Sequence, residues 1–401
     1  MNAITVFEIS NESISMVVGY NVDAEKSAII YDEKRYYEKL FKNDIFLNPE
    51  NVLSEIKDMI DNAAKKSVVI NKQLVFFSLV PTKIIGKETS SITASSSGTD
   101  DQTAKITNSD ILNLFNMAYN QKVSEPNYKI VEVVRTLYRD DKSHVFYRLP
   151  LNEVSKTAEM VYSYYCIPEV TFNAINDLFK LLDIRIRKIT LKNIAIFERI
   201  KMDSNSPKKY ILVDTFKTTT NISFCNLNTI YDYKIIDFGL SNLINEFSLK
   251  FGISEEVAKN ILFTYGYDPR DYNFKVYVGE YTNKEGKVSK IYQSDVNKSI
   301  VNFIKTFTTK LLEIKTSVTS ENVNYIFVGV ISHVPGIEKF IKDKDTSNIM
   351  MFYKNINVAF KNNAQIGPLC VIDMQSMYAE YLNLEKKNNV AEPRFLLNRG
   401  E

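Results

Sequence analysis

Residues 210–225, YILVDTFKTTTNISFC, and residues 4–18, ITVFEISNESISMVV, follow one plan. In each, an apolar strand ends in an acid (Asp214, Glu8) and a short polar turn follows. A returning strand then alternates apolar and polar positions (Ile222, Phe224; Ile14, Met16, Val18). Each copy leads into a third strand, SAIIYDE from Ser27 or TIYDYKIIDFG from Thr229, so each reads as a three-stranded meander. Two such copies roughly two hundred positions apart are an internal repeat, and they predict two pseudo-symmetric subdomains facing one cleft. Ligands of α/β sheets bind beyond the carboxyl ends of the strands, which places Glu8 and Asp214 at that cleft.

The sequence between and after the copies fills in an α/β frame. Leu53, Ile56, Met59, Ile60 and Ala63 share one helical face, and the apolar strand QLVFFSLV ends before Pro81. From Ser90 to Thr107 the composition turns small and polar, which predicts a loop or hairpin tip. Thr107 and Asp110 then have capping-box spacing before a helix with Ile111, Leu112, Leu114, Phe115 and Ala118 inward. Strands KIVEVVRTLY and EMVYSYYCI close this unit near Pro168. A further helix is marked by Val170, Ile175, Leu178, Phe179 and Leu182. The C-terminal half predicts helices SNLINEFSLKFG and SEEVAKNILF, the latter capped by Ser254, and a strand FKVYVGEY. A long helix follows with a stripe of Ile300, Ile304, Phe307, Leu311 and Ile314. A buried strand runs through VNYIFVG into a turn, and a last helix is expected near Leu369 to Leu382.

Composition excludes several function classes. Fifty Lys and Arg against 48 Asp and Glu leave a formal net charge of +2, so there is no basic footprint for nucleic acid. Three cysteines lie far apart and two histidines cannot build a histidine-rich metal site. No basic leader and no run of about 18 apolar residues is present, which predicts a soluble cytoplasmic protein, attached to a membrane from the side at most. Twelve glycines in 401 residues is about 3 per cent, against roughly 7 per cent on average, so glycine-rich phosphate cradles are scarce.

The two acid-terminated meanders, the turn Gly329-Val330 through Pro335-Gly336, and the phrase IDFGLSNLINEFSLKFGISEEVAKNILFTYG together resemble the bacterial cell-division protein FtsA, of the actin/Hsp70-like ATPase superfamily. The resemblance runs from residue 4 to about 382. It implies an α/β, actin-like two-lobed fold of duplicated ribonuclease H-like subdomains with an FtsA-type inserted small α/β subdomain. The implied divisions are 1–83 with 167–205, the insertion at 84–166, 206–240 with 320–382, 241–319, and a tail at 383–401.

The resemblance also implies ATP and Mg2+ as ligands. The first phosphate loop, with its usual acid and glycine, corresponds to Glu8 and Ser10, with Glu12 adding a negative charge where phosphates would approach. The second corresponds to Asp214, Lys217, Thr218, Thr219 and Thr220 and has no glycine. Gly239, Lys259, Gly329 and Ser332 fall at nucleoside-side positions, with His333 beside them, and Glu8 and Asp214 are the implied Mg2+ acids. Every motif has lost residues, which implies weak or absent ATP binding and leaves no intact set for hydrolysis. The implied role is an adaptor that links filaments of the tubulin-like FtsZ to the inner face of the cytoplasmic membrane at the division site. It would bind the FtsZ C-terminal peptide through Lys275, Lys284, Lys287 and Lys290 and self-associate into filaments or dimers. Phe395, Leu396 and Leu397 would supply a weak membrane contact. The competing readings are an active ATPase whose nucleotide state controls polymerisation, and an actin-like scaffold of pilus or secretion assembly.

Overall fold

The computed structural model describes residues 3–352 apart from 24–25, 43, 73, 81–84, 96–103, 122, 124–125, 147–149, 202–206, 227–228, 273–275, 283–285, 287 and 345–349, together with 367, 368 and 370–372. Strand β1 (Ile4–Ile9) is buried along nearly its whole length, because apolar residues occupy both of its faces. It is followed by β2 (Ser13–Asp23) and β3 (Lys26–Tyr36), a short ribbon of β4 (Phe41–Lys42) and β5 (Ile45–Phe46), helix α1 (Pro49–Lys65) and strand β6 (Val75–Leu79). Asn48 starts α1 by accepting the Asn51 N–H at 3.1 Å, and the helix buries Val52, Ile56, Met59 and Ala63.

Between β6 and the rest of this lobe stands a separate sheet, formed by β7 (Ile85–Ser95), β8 (Tyr128–Asp140), β9 (Val145–Phe146) and β10 (Thr157–Pro168) in the order β7-β10-β8-β9. Helix α2 (Asn108–Tyr119) packs on it through Ile111, Leu114, Phe115 and Ala118. The serine-rich stretch expected as loop is instead strand from Ser90 to Ser95. Antiparallel pairing with β10 and the inward placing of Ala94 between exposed Thr93 and Ser95 give it a two-residue period that its composition hid. The Thr107–Asp110 capping box is present, with the Thr107 N–H donating to Asp110 Oδ2 at 2.7 Å and the Asp110 N–H to Thr107 Oγ1 at 3.4 Å. Thr107→Ala is expected to cost about 1 kcal/mol, read as a lower denaturant midpoint at unchanged slope.

Helix α3 (Glu169–Lys180), strand β11 (Ile186–Leu191) and helix α4 (Lys192–Lys201) complete the first lobe, whose sheet runs β11-β6-β1-β2-β3. One residue of α3 departs from expectation. Val170 is 43% exposed while its neighbour Thr171 is buried, because the Thr171 hydroxyl donates to the Asp44 carbonyl at 2.7 Å.

The second lobe repeats the plan. Strands β12 (Tyr210–Thr215), β13 (Thr220–Cys225) and β14 (Ile230–Ile236) form the meander. Helices α5 (Leu240–Phe251) and α6 (Glu255–Tyr265), a hairpin of β15 (Tyr277–Thr282) and β16 (Val288–Tyr292), and the long helix α7 (Gln293–Val318) follow. Then come β17 (Asn324–Gly329), α8 (Ile337–Lys344) and β18 (Met350–Phe352). The sheet runs β14-β13-β12-β17-β18, with β17 parallel to β12 just as β6 is parallel to β1. Leu212 and Val328 reach into the core of the first lobe, so the lobes share apolar packing. Residues 370–372 are helical and buried against that core; 373–382 lie outside the described residues. Among the described residues no helix is long and apolar enough to cross a membrane.

Candidate functional site

The two acids hold equivalent stations. Each is the fifth residue of a six-residue central strand, Glu8 on β1 and Asp214 on β12, and both are almost fully buried. Glu8 sits opposite Ser78 of the parallel neighbour β6, whose hydroxyl donates to Glu8 Oε2 at 2.9 Å. Asp214 sits opposite Val328 of β17, whose apolar side chain offers no hydrogen bond.

A third strand end supplies what Asp214 lacks. Lys192 opens helix α4 directly after β11, and its ammonium Nζ lies 2.8 Å from Asp214 Oδ2, with both side chains about 4% exposed. The same Nζ stands 4.4 Å from the centre of the Phe216 ring. Burial opposes the charge on Lys192, but Asp214 and Glu8 outweigh it and hold the ammonium above its ordinary pKa. Burial pushes the Glu8 carboxyl up, against the pull of Lys192, Lys34 and the Ser78 hydroxyl. The ammonium therefore pairs with one of the two acids that the resemblance implies as Mg2+ ligands and acts electrostatically on the other.

The two loops that follow the acids meet across the cleft. Ser10 shapes the first: its N–H donates to the Ser13 carbonyl at 2.9 Å and its hydroxyl accepts the Glu12 N–H at 3.2 Å. The second is a tight turn closed by the Phe216 N–H on the Thr219 carbonyl at 2.8 Å. Its next two N–H groups point at one carboxylate: Lys217 donates to Glu12 Oε2 at 3.2 Å and Thr218 to Glu12 Oε1 at 3.1 Å, and the Thr218 hydroxyl also donates to Oε1. Successive backbone N–H groups of this kind form an anion-binding concavity.

The remaining predicted residues surround this crossing. Thr220 donates to the Phe238 carbonyl at 2.6 Å and ties the second loop to the start of α5. Gly239 packs so close to that loop that a side-chain carbon would lie 2.6 Å from the Lys217 carbonyl oxygen. Gly329 has φ of 84°, and a side-chain carbon there would meet Asp214 Oδ1 at 2.6 Å, so both glycines persist where backbone must approach backbone or acid. Ser332 donates to the Gly329 carbonyl at 2.7 Å. Lys217, Lys259 and His333 line an adjacent cavity of about 670 Å³ whose walls include Leu240, Phe263 and Val330. Burial, then the nearby Lys34, lowers the His333 pKa.

Lys290 lies elsewhere, exposed on β16 and paired with Glu280 at 3.3 Å. Lys275, Lys284, Lys287 and the tail residues Phe395, Leu396 and Leu397 lie outside the described residues. The three cysteines are buried and not joined in disulfides, and burial pushes the Cys166 thiol up to about 12. Sequence reading missed Lys192, Lys34 and Ser78. The available signal for Lys192 was a lone cation inside the apolar run ITLKNIAIF, immediately after a strand, where a buried charge needs a partner.

No protein-family model matches this sequence, and no curated protein does. Solved structures do. The chain superposes on the PilM-PilN type IV pilus biogenesis complex with a TM-score of 0.55 at 12% identity, over 93% of this chain and 97% of that one. It superposes on MreB5 of Spiroplasma citri bound to AMPPNP with a TM-score of 0.52 at 9% identity, over 97% and 99%. The ADP-bound form of that MreB5 gives 0.51.

This chain has the actin-like ATPase fold.

The actin-like fold implies a magnesium nucleotide in the cleft, and the side chains present do not fit one. A divalent cation between Glu8 and Asp214 would share their pocket with the Lys192 ammonium. A phosphate on the second loop would need the N–H groups that Glu12 already occupies, and would meet a like charge there.

Proposed function

We propose that this actin-like chain is a structural adaptor resembling FtsA. It would link filaments of the tubulin-like FtsZ to the inner face of the cytoplasmic membrane and act through protein contacts rather than ATP turnover. The observation that carries this reading is the Lys192 ammonium at the acid pair. Phosphoryl transfer relies on a metal ion that neutralises developing charge and on a positioned water, and one of the acids that would serve the metal is already paired with an internal ammonium. The fold itself supports a self-associating protein. MreB5 is similar over almost the whole of both chains, although its nucleotides are bound by that protein and not thereby by this one.

In this reading the FtsZ C-terminal peptide binds the subdomain spanning 241–319, where Lys275, Lys284, Lys287 and Lys290 favour an acidic segment. Reversing all four charges is expected to weaken peptide binding about tenfold, or about 1.4 kcal/mol, in a fluorescence anisotropy titration. Unchanged binding removes the FtsZ assignment. A second reading draws on the similarity to the PilM-PilN complex: an actin-like scaffold of pilus or secretion assembly. Binding of a pilus or secretion component, with no affinity for the FtsZ peptide, selects it.

A further inference from the structure

We infer that the interlobe cleft is liganded from within: the Glu12 carboxylate takes the place of a phosphate group on the second loop, and the Lys192 ammonium takes the place of a divalent cation between Glu8 and Asp214. The contacts have the chemistry of the absent groups. Glu12 presents two oxygens to two consecutive backbone N–H groups and a hydroxyl, the donor set that a phosphate oxygen edge would use. Lys192 presents positive charge to two buried carboxylates at ion-pair distance from one of them. Both contacts cross between lobes: Glu12 belongs to the first and Thr218 to the second, 206 positions on, and Lys192 from the first lobe holds Asp214 of the second.

The sequence changes fit together in this arrangement. The second loop has no glycine, yet its Lys217 and Thr218 N–H groups remain a donor pair, and the Glu12 carboxylate takes both. The bulky Phe216 that would crowd a ligand instead lays its ring under Lys192. A closed cleft is then a property of the chain alone, needing neither nucleotide nor metal. This goes beyond the adaptor reading, since the latch stands whether or not the FtsZ peptide binds.

The test asks whether each internal group can be exchanged for the external one. Glu12→Ala is expected to melt several degrees below wild type and to recover part of that loss in millimolar pyrophosphate. Lys192→Ala is expected to melt lower still and to recover with Mg2+. Wild type is expected to respond to neither. Hydrogen exchange supplies a reading that is independent of global stability: the Lys217 and Thr218 amides should be protected in wild type, exchange at least tenfold faster in Glu12→Gln, and regain protection with pyrophosphate in Glu12→Ala. The inference is overturned if wild type is stabilised by pyrophosphate or Mg2+ as strongly as the variants. It is equally overturned if the two amides exchange at the same rate with and without the Glu12 carboxylate.

Discussion

Lys192→Met is expected to destabilise the protein by about 3–5 kcal/mol near pH 8, the range seen when one partner of a buried ion pair is removed. Methionine nearly matches lysine in length and leaves the apolar packing of the stem in place, so the loss isolates the charge. What remains is Glu8 and Asp214, each no more than about 3% exposed, without the ammonium that lay 2.8 Å from Asp214 and with Lys34 left as the cation that acts on both. The carboxyls answer by holding protons. Glu8 already stands above its ordinary value because burial outweighs Lys192, Lys34 and Ser78, and without Lys192 it rises further. A carboxyl whose pKa is raised by folding stabilises the native state fully below its unfolded pKa and loses that contribution as pH rises through the native value. The gap between variant and wild type should therefore shrink from pH 8 toward pH 5. Urea unfolding at the two pH values checks this, and an equal deficit at both would show that packing, not charge, was lost. Adding Asp214→Asn should restore most of the stability, because of this pair of acids only Glu8 then remains.

The second large effect lies in the core of the other lobe. Phe307 of α7 is fully buried, with ring centres of Phe238 at 5.8 Å, Phe303 at 5.9 Å and Phe327 at 6.3 Å. Phe307→Ala removes the centre of this group and is expected to cost about 3–5 kcal/mol from lost burial and the cavity left behind. Phe307→Leu keeps most of the volume and should cost less than about 1.5 kcal/mol. Guanidinium unfolding of both variants separates volume from aromatic geometry: equal losses would mean that the stacked rings, rather than filled space, hold the lobe. Because Phe327 lies on β17, the strand whose end sets Gly329 against Asp214, the alanine variant should also loosen the second loop, seen as faster amide exchange at Thr218.

The parts of the structure that local chemistry determines were readable. Alternation around Ile222 and Ile14 announced the meanders, Thr107 and Asp110 announced a helix start, and the acids could be placed at strand ends because a strand has only one C-terminus. The retained glycines also had a local reason, since Gly329 must adopt a positive φ beside Asp214. What could not be read depends on partners far away in sequence. Glu12 was visible as a charge near the expected phosphates, but its bond to Thr218 is made by the packing of two lobes. Lys192 stands out in sequence only as a cation within an apolar run, and its partner is set when β11 and β12 bring it to Asp214. Thr171 is buried in place of Val170 because Asp44 offers it a carbonyl, a contact that no periodicity encodes.

The duplication also has a bearing on how the halves relate. In the first, β6 brings the Ser78 hydroxyl to Glu8; at the matching register in the second, Val328 brings nothing to Asp214, and the missing donor is borrowed from Lys192. The repeat is therefore symmetrical in backbone and unequal in chemistry. The second half is not a free-standing module: expressed alone it would carry Asp214 without its counter-charge, and in a chimera it would need a first half that already places a cation after its edge strand.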